Sequence, residues 1–254
     1  MNIAVFALMA VFAVSCRTPT AYLSTGNKSD YKSIIPKGID DGSVIKKSEN
    51  DGSNIEFDCY RAKVSNIRYK NIKVDPEVVY FMGIKLTSRT TSTVTLTRKQ
   101  TIEFVLSGLE NGVYTGKFNL NYERIMEEED YGEAILGDIV SEEFSVSGTA
   151  KSGGDVWVFA LTGNKKSQTG SMKNSNVELR IESSDRAAES PKWSRGILGY
   201  RIFYGDDLVA SHLTQEHGSH LYLRNNLQPE IAAGVVSALI VLYSIDPIYT
   251  VYVK

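Results

Sequence analysis

Fifteen consecutive residues near the C-terminus, Ile231 to Ile245 (IAAGVVSALIVLYSI), carry no charge. A run that is apolar nearly all round has to be enclosed on every side, so the rest of the fold must make room for it. Pro229 and Glu230 stand just before it, and both suit the first turn of a helix. Pro lacks an N–H that this turn leaves unpaired, and Glu complements the positive end of the helix dipole. As a helix the run would extend roughly 22 Å, short of the roughly 30 Å hydrocarbon core of a bilayer, so a membrane span is not expected. Ile231, Val235, Leu239 and Leu242 fall on one face. Ala233, Gly234 and Ser237 gather on another, where a strand backbone would approach closely. A hairpin competes with the helix, because Val235–Ile245 is rich in β-branched residues and Asp246-Pro247 signals a turn before Ile248–Val253. The Pro-Glu start and the Ala-Ala-Gly stretch favour the helix.

Upstream, from Ile55 onward, the chain reads as short β-branched and aromatic runs between turn residues. Candidate strands are Val78–Leu86, Thr91–Leu96, Thr101–Leu106, Val113–Asn121, Glu143–Val146 and Val156–Leu161, then Val177–Ile181, Ile197–Tyr204, Leu208–Leu213 and His220–Leu223. Turns are marked by Glu110-Asn111-Gly112, Ser152-Gly153-Gly154-Asp155, Gly163-Asn164 and Gly205-Asp206-Asp207. This spacing predicts a mainly β fold, a single antiparallel barrel or sandwich of about ten to twelve strands around one buried apolar C-terminal helix.

The N-terminus has a different texture. Ile3 to Val14 (IAVFALMAVFAV) are continuously apolar, the length of a signal-peptide core and too short to span a bilayer. The sequence Ala13-Val14-Ser15-Cys16 that ends the run resembles the lipobox of bacterial lipoproteins. That resemblance implies a signal peptide over 1–15, diacylglycerol on the Cys16 sulfur, and a bacterial envelope protein held at a membrane by its lipid. It departs from the lipobox pattern in lacking an n-region Lys or Arg and in having Ala13 where Leu is commoner. An ordinary cleaved signal peptide, with Cys16 incidental, is the alternative. Residues 16–54 are short of aromatics and rich in Ser, Asn, Asp, Lys and Gly, the composition of a flexible tether. The globular domain is therefore expected over 55–254.

The segment Tyr200-Arg201-Ile202-Phe203-Tyr204-Gly205-Asp206-Asp207-Leu208-Val209, followed by the run from Pro229 to Ile245, resembles the tubby-like and scramblase-like domains. In those a β-barrel wraps a central hydrophobic helix. The likeness covers about 50 residues and implies the same architecture here. It suggests lipid headgroup binding in that family, but no matching basic pocket is present, so no binding residue is carried over.

The net charge of −2 and the absence of a clustered Lys/Arg excess argue against a nucleic-acid partner. Arg98-Lys99 and Lys165-Lys166 read as solvated turn residues. All three histidines, His212, His217 and His220, lie within nine residues around Glu216. In a hairpin of even register His212 and His220 would share a face and offer zinc ligands; a register slipped by one separates them. The spacing matches no established metal motif, and a polar hairpin loop is the plainer reading. The run Glu127-Glu128-Glu129-Asp130 lacks the alternating ligands and Gly of a calcium loop and reads as a solvated loop. Cys59 is a candidate nucleophile or, more simply, a small buried hydrophobe. Tyr114, Tyr122, Tyr200, Tyr204 and Tyr222 fit sugar stacking or a protein partner as well as plain strand packing. No resident cofactor is called for. The leading reading is a non-catalytic binding or structural module for an unspecified protein, lipid or glycan; the alternative is an envelope hydrolase or metal-dependent enzyme using the histidine hairpin.

Overall fold

Alternation of inward and outward side chains builds the body of the protein. Along one strand Tyr114, Gly116, Phe118, Leu120 and Tyr122 are buried, while Thr115, Lys117, Asn119 and Asn121 between them are exposed. A strand with period 2 has one face for a core and one for water. The computed structural model describes residues 30–34, 53–74, 80–81, 84–85, 92–130, 135–164, 166–184, 197, 199–213 and 220–245.

Fourteen strands and one helix are seen among these residues. The strands are β1 (Tyr31–Ile34), β2 (Ser53–Phe57), β3 (Tyr60–Val74), β4 (Tyr80–Phe81), β5 (Ile84–Lys85), β6 (Ser92–Leu109) and β7 (Gly112–Asp130). They continue with β8 (Ile135–Ser152), β9 (Asp155–Gly163), β10 (Gln168–Lys173), β11 (Glu178–Ser184), β12 (Gly199–Tyr204), β13 (Asp207–Leu213) and β14 (His220–Arg224). The helix, α1, is Pro229–Ser244. Twelve strands form one antiparallel sheet in the order β1-β14-β13-β12-β11-β10-β9-β8-β7-β6-β3-β2, and β4 and β5 pair separately. From β6 to β14 the order is a meander, each strand beside its sequence neighbour.

The helix supplies what the inner face needs. Ile231 to Leu242 are all buried, and α1 touches β3, β6, β10 and β13, strands from both ends of the sheet order and its middle. The sheet is thus curled around α1. Its two ends approach at a seam, where Lys32 Nζ of β1 lies 3.1 Å from Asp58 Oδ2 in the β2–β3 turn. No backbone pairing joins β1 to β2 among the described residues. The wrapped helix and the twelve-stranded sheet match the expected mainly β architecture, and the hairpin alternative for 231–245 is set aside. No described helix is long and apolar enough to cross a membrane.

One face of α1 differs from expectation. Gly234 admits an aromatic ring rather than a strand backbone: a Cβ added there would lie 2.4 Å from Trp157 Cζ3 and 2.5 Å from Cη2. Trp157 has no exposed surface. Gln100 of β6 closes the other end of the helix, donating from Nε2 to Ser244 O at 2.9 Å.

Several strand boundaries also differ. Thr91–Leu96 and Thr101–Leu106 are parts of one strand, β6, which runs straight through Arg98-Lys99, so that pair is not in a turn. The strand continues because its backbone is paired on both sides there, Lys99 with Tyr69 of β3 and Asn121 of β7, while the next residue, Gln100, turns inward to the helix. The acidic run Glu127 to Asp130 belongs to β7 and not to a loop, with Glu127 opposite Asp138. Within Val78–Leu86 the described residues form the two short strands β4 and β5. The stretch expected as a tether contains β1, whose backbone pairs with β14 from Tyr31↔Arg224 to Ile34↔Leu221. Tyr31 adds a side-chain bond, donating its hydroxyl to Leu208 O at 2.8 Å. The first residues of β2 likewise precede the expected domain start at 55. Cys16 and the signal-peptide stretch lie outside the described residues.

Candidate functional site

Because the helix occupies the inside of the sheet, polar groups that face inward are few and each has to be accounted for. Three stand out: His212, the Gln168–Tyr200 pair and Asp155.

The register of β13 against β14 places His212 opposite Leu221 and Leu213 opposite His220. This is the odd register, in which the two histidines do not share a cross-strand position. His212 lies on the core side, 4% exposed. Its ring stacks near-parallel to Tyr200, centroids 6.3 Å apart, and meets Tyr243 edge-on at 5.6 Å. Neither Nδ1 nor Nε2 has a hydrogen-bond partner among the described residues. Burial alone drives its pKa down from the ordinary 6.5 to about 4, so the imidazole is neutral at pH 7. Tyr243 is affected by the same enclosure, its pKa pushed up by burial to about 12. His217 lies outside the described residues. Among the described residues no group of three His, Cys, Asp or Glu stands close enough together to hold a metal ion.

Next to His212, the Tyr200 hydroxyl donates to Gln168 Oε1 at 2.6 Å. Gln168 Nε2 donates on to Asn164 O at 3.2 Å, and its backbone N–H donates to Ser183 Oγ at 2.8 Å. Gln168 is itself buried. The pair ties β10 and β12 to the β9–β10 turn. Nothing in the composition of Gln168–Lys173 (QTGSMK) signals a strand, so this contact is not legible before the fold is known.

Asp155 is a node at the other end of the barrel. Its Oδ2 accepts from the Tyr114 hydroxyl at 2.7 Å and from Trp157 Nε1 at 2.9 Å, and its Oδ1 accepts from Asn174 Nδ2 at 3.0 Å. Burial, then the bond to Asp155, raises the Tyr114 pKa. One carboxylate thereby satisfies donors from β7, β9 and the β10–β11 turn. Asp155→Ala is expected to cost about 2–3 kcal/mol, since the deletion leaves buried donors without an acceptor. Urea unfolding at pH 7 measures this, and an unchanged midpoint would contradict it.

The tyrosines now separate into two groups. Tyr114, Tyr122 and Tyr200 point inward, with Tyr122 donating to Glu142 Oε1 at 2.6 Å, so they serve packing and internal bonding. Tyr204 is exposed and Tyr222 half-buried. Cys59 is not a buried hydrophobe: it is exposed and free, in the β2–β3 turn after Asp58, whose φ is 55°. No histidine described here approaches it.

On the outer face, Arg180 and Arg201 lie over the Phe203 ring, their guanidinium carbons 4.6 and 5.7 Å from its centroid, and both pair with Glu182. Cation–π contacts of this kind shield an outward-facing aromatic from water. The shared carboxylate neutralises part of the charge, so the group reads as a structural cover for Phe203.

Comparison with protein-family models, with curated proteins and with solved structures gives no match to this chain. Its function has to be argued from its own residues.

Proposed function

We propose that the chain is a lipid-anchored bacterial envelope protein whose barrel acts as a non-catalytic binding or structural module at a membrane surface. One structural observation carries the second half of this reading. The space that a small barrel would offer to a ligand is taken up by the chain's own helix, packed against Trp157 at Gly234. Recognition of a protein, lipid or glycan is thereby left to the outer face and the turns. The anchor is supported by the apolar run Ile3–Val14 followed by Ser15-Cys16. The likeness to tubby-like and scramblase-like domains belongs to the same proposal, supported by the apolar C-terminal helix inside a curled antiparallel sheet.

Two or three acyl chains, each contributing about 0.8 kcal/mol per buried CH₂, hold a domain of this size durably at a bilayer. The Cys16→Ala protein is therefore expected to leave the membrane fraction and be recovered in the aqueous one. Retention in the membrane fraction would contradict the anchor. Surface binding to lipid or glycan that is indifferent to a chelator is the expected behaviour of the module.

A further inference from the structure

The two edges of the large sheet are built differently. β2 ends in a two-residue turn, Asp58-Cys59, that leads straight into the 15 residues of β3, and its Ile55 is 1% exposed in the core. β1 is 4 residues long and pairs with β14 alone among the described strands. Of its described side chains, Tyr31 is half-buried, Lys32 is exposed, and neither belongs to the core. A short edge strand with one ladder is where a fold opens first.

Backbone and surface bonds hold β1 in place. It pairs with β14 from Tyr31↔Arg224 to Ile34↔Leu221, Asn225 N donates to Asp30 O at 2.8 Å, and the Tyr31 hydroxyl donates to Leu208 O at 2.8 Å. Lys32 adds an ion pair with Asp58 at 3.1 Å, partly open to water and so of small effect. β14 does not depend on β1 for its own position. It keeps its ladder to β13, and Leu221 and Leu223 keep their places in the core. Release of β1 thus moves the sheet edge to β14 and leaves the barrel closed around α1.

The lengths of chain on either side give that release a consequence. Residues 17–29, thirteen positions, lie between Cys16 and Asp30, and residues 35–52, eighteen positions, link β1 to β2. With β1 docked, the chain from Cys16 joins the barrel at Asp30 and spans at most about 50 Å. With β1 released it joins at Ser53, and residues 17–52 span at most about 130 Å.

We propose that β1 is a releasable strap: docked on β14 it keeps the barrel close to the bilayer that carries the Cys16 lipid, and undocked it gives the barrel a much longer reach with its core intact. The bilayer half of this inference rests on the anchored reading above; the release of the strap does not.

Force spectroscopy on the mature chain, Cys16 to Lys254, reads the release. One DNA handle is attached through the Cys16 sulfur, the atom that carries the lipid in the anchored reading. The other is attached in a Lys166→Cys, Cys59→Ser variant, at an exposed position of the β9–β10 turn. Two steps are expected. The first is a reversible lengthening of roughly 60 Å, as residues 30–52 are freed less the distance they already bridge. The second, at higher force, is the unfolding of the barrel. A single step overturns the strap, whether residues 30–52 are released in it or are already free before it. Lys32→Pro identifies the element that moves. Asp30 bonds to Asn225, so two residues on the Lys32 N–H faces the ladder as well, and proline removes it. This variant is expected to lose the short step and keep the barrel step unchanged. A short step that survives, or a barrel step weakened along with it, overturns the proposal. Mass spectrometry of the N-terminal peptide from envelope-purified protein keeps the two readings apart. An unmodified Cys16 overturns the bilayer half and leaves the strap, whereas a lipidated Cys16 with a single step removes the strap and leaves the anchor.

Discussion

Gly234→Val is expected to lower the unfolding free energy by about 3 kcal/mol or more, through overpacking of the barrel against its helix. On an exposed helix the loss of a glycine would favour folding by up to about 1 kcal/mol, because glycine is a poor helix former. Here the first added carbon would already be 2.4 to 2.8 Å from three atoms of the Trp157 ring. That ring is not free to swing away: it is fully buried, and its Nε1 is tied to Asp155. The overlap therefore has to be relieved by moving α1 relative to β9, which loosens the packing around it. Gly234→Ala is expected to destabilise as well, by less. In a Trp157→Leu background, which removes the obstructing ring at its own cost, Gly234→Ala should be close to neutral. The difference between the two backgrounds in urea unfolding is the coupling between helix and sheet. Equal costs in both would show that something other than Trp157 keeps a side chain out at position 234.

The second large effect is on pH. His212 has a folded-state pKa of about 4, below the ordinary 6.5, because its enclosed ring cannot carry charge at low cost. The unfolded chain takes up this proton near pH 6.5, while the folded chain refuses it until about pH 4. Protons bound by the unfolded state alone favour unfolding, so stability is fully present above pH 6.5 and is lost as pH falls towards 4. The expected loss over that window is about 3 kcal/mol from this residue, and below pH 4 its contribution levels off. The groups that face the ring are Tyr200 and Tyr243, with Leu221 opposite it in the ladder, and none of them offers a carboxylate to offset the charge. His212→Phe keeps an aromatic ring in that place and should flatten the profile between pH 6.5 and 4. It should also leave stability at pH 7 equal or higher, since two unpartnered buried nitrogens are gone. A variant with the wild-type acid sensitivity would place the titrating group elsewhere.

Much of the architecture is legible in the residues alone, for an identifiable reason. Where one face of a strand packs on a core and the other meets water, the pattern is written at every second position, as in β7 and β9. The helix is legible because Pro229-Glu230 marks its start and the run behind it has no charge to place in water. The turns at Glu110-Asn111, Gly153-Gly154 and Gly205-Asp206 fall where the chain places glycine and short polar residues.

What escapes the sequence depends on pairing. Tyr31–Ile34 and Gln168–Lys173 are strands because a neighbouring strand offers them a ladder, and neither has a composition that announces it. The parity of the histidine hairpin is set by register, which no count of spacings supplies; it came out odd and left His212 in the core. Nor does spacing reveal that Asp155, beside a glycine turn, collects Tyr114, Trp157 and Asn174.

The helix α1 is the enclosed centre of the barrel rather than an element resting on its surface. Amide hydrogen exchange along Ile231 to Leu242 tests this most directly. An enclosed helix opens only when the sheet around it comes apart, so these amides should be among the slowest in the protein, with opening free energies equal to that of global unfolding. Gly234→Val should lower both values together. Exchange of the same amides through a local opening several kcal/mol below the global value, with β7 and β9 still protected, would show a helix that leaves the barrel without unfolding it and would contradict the account.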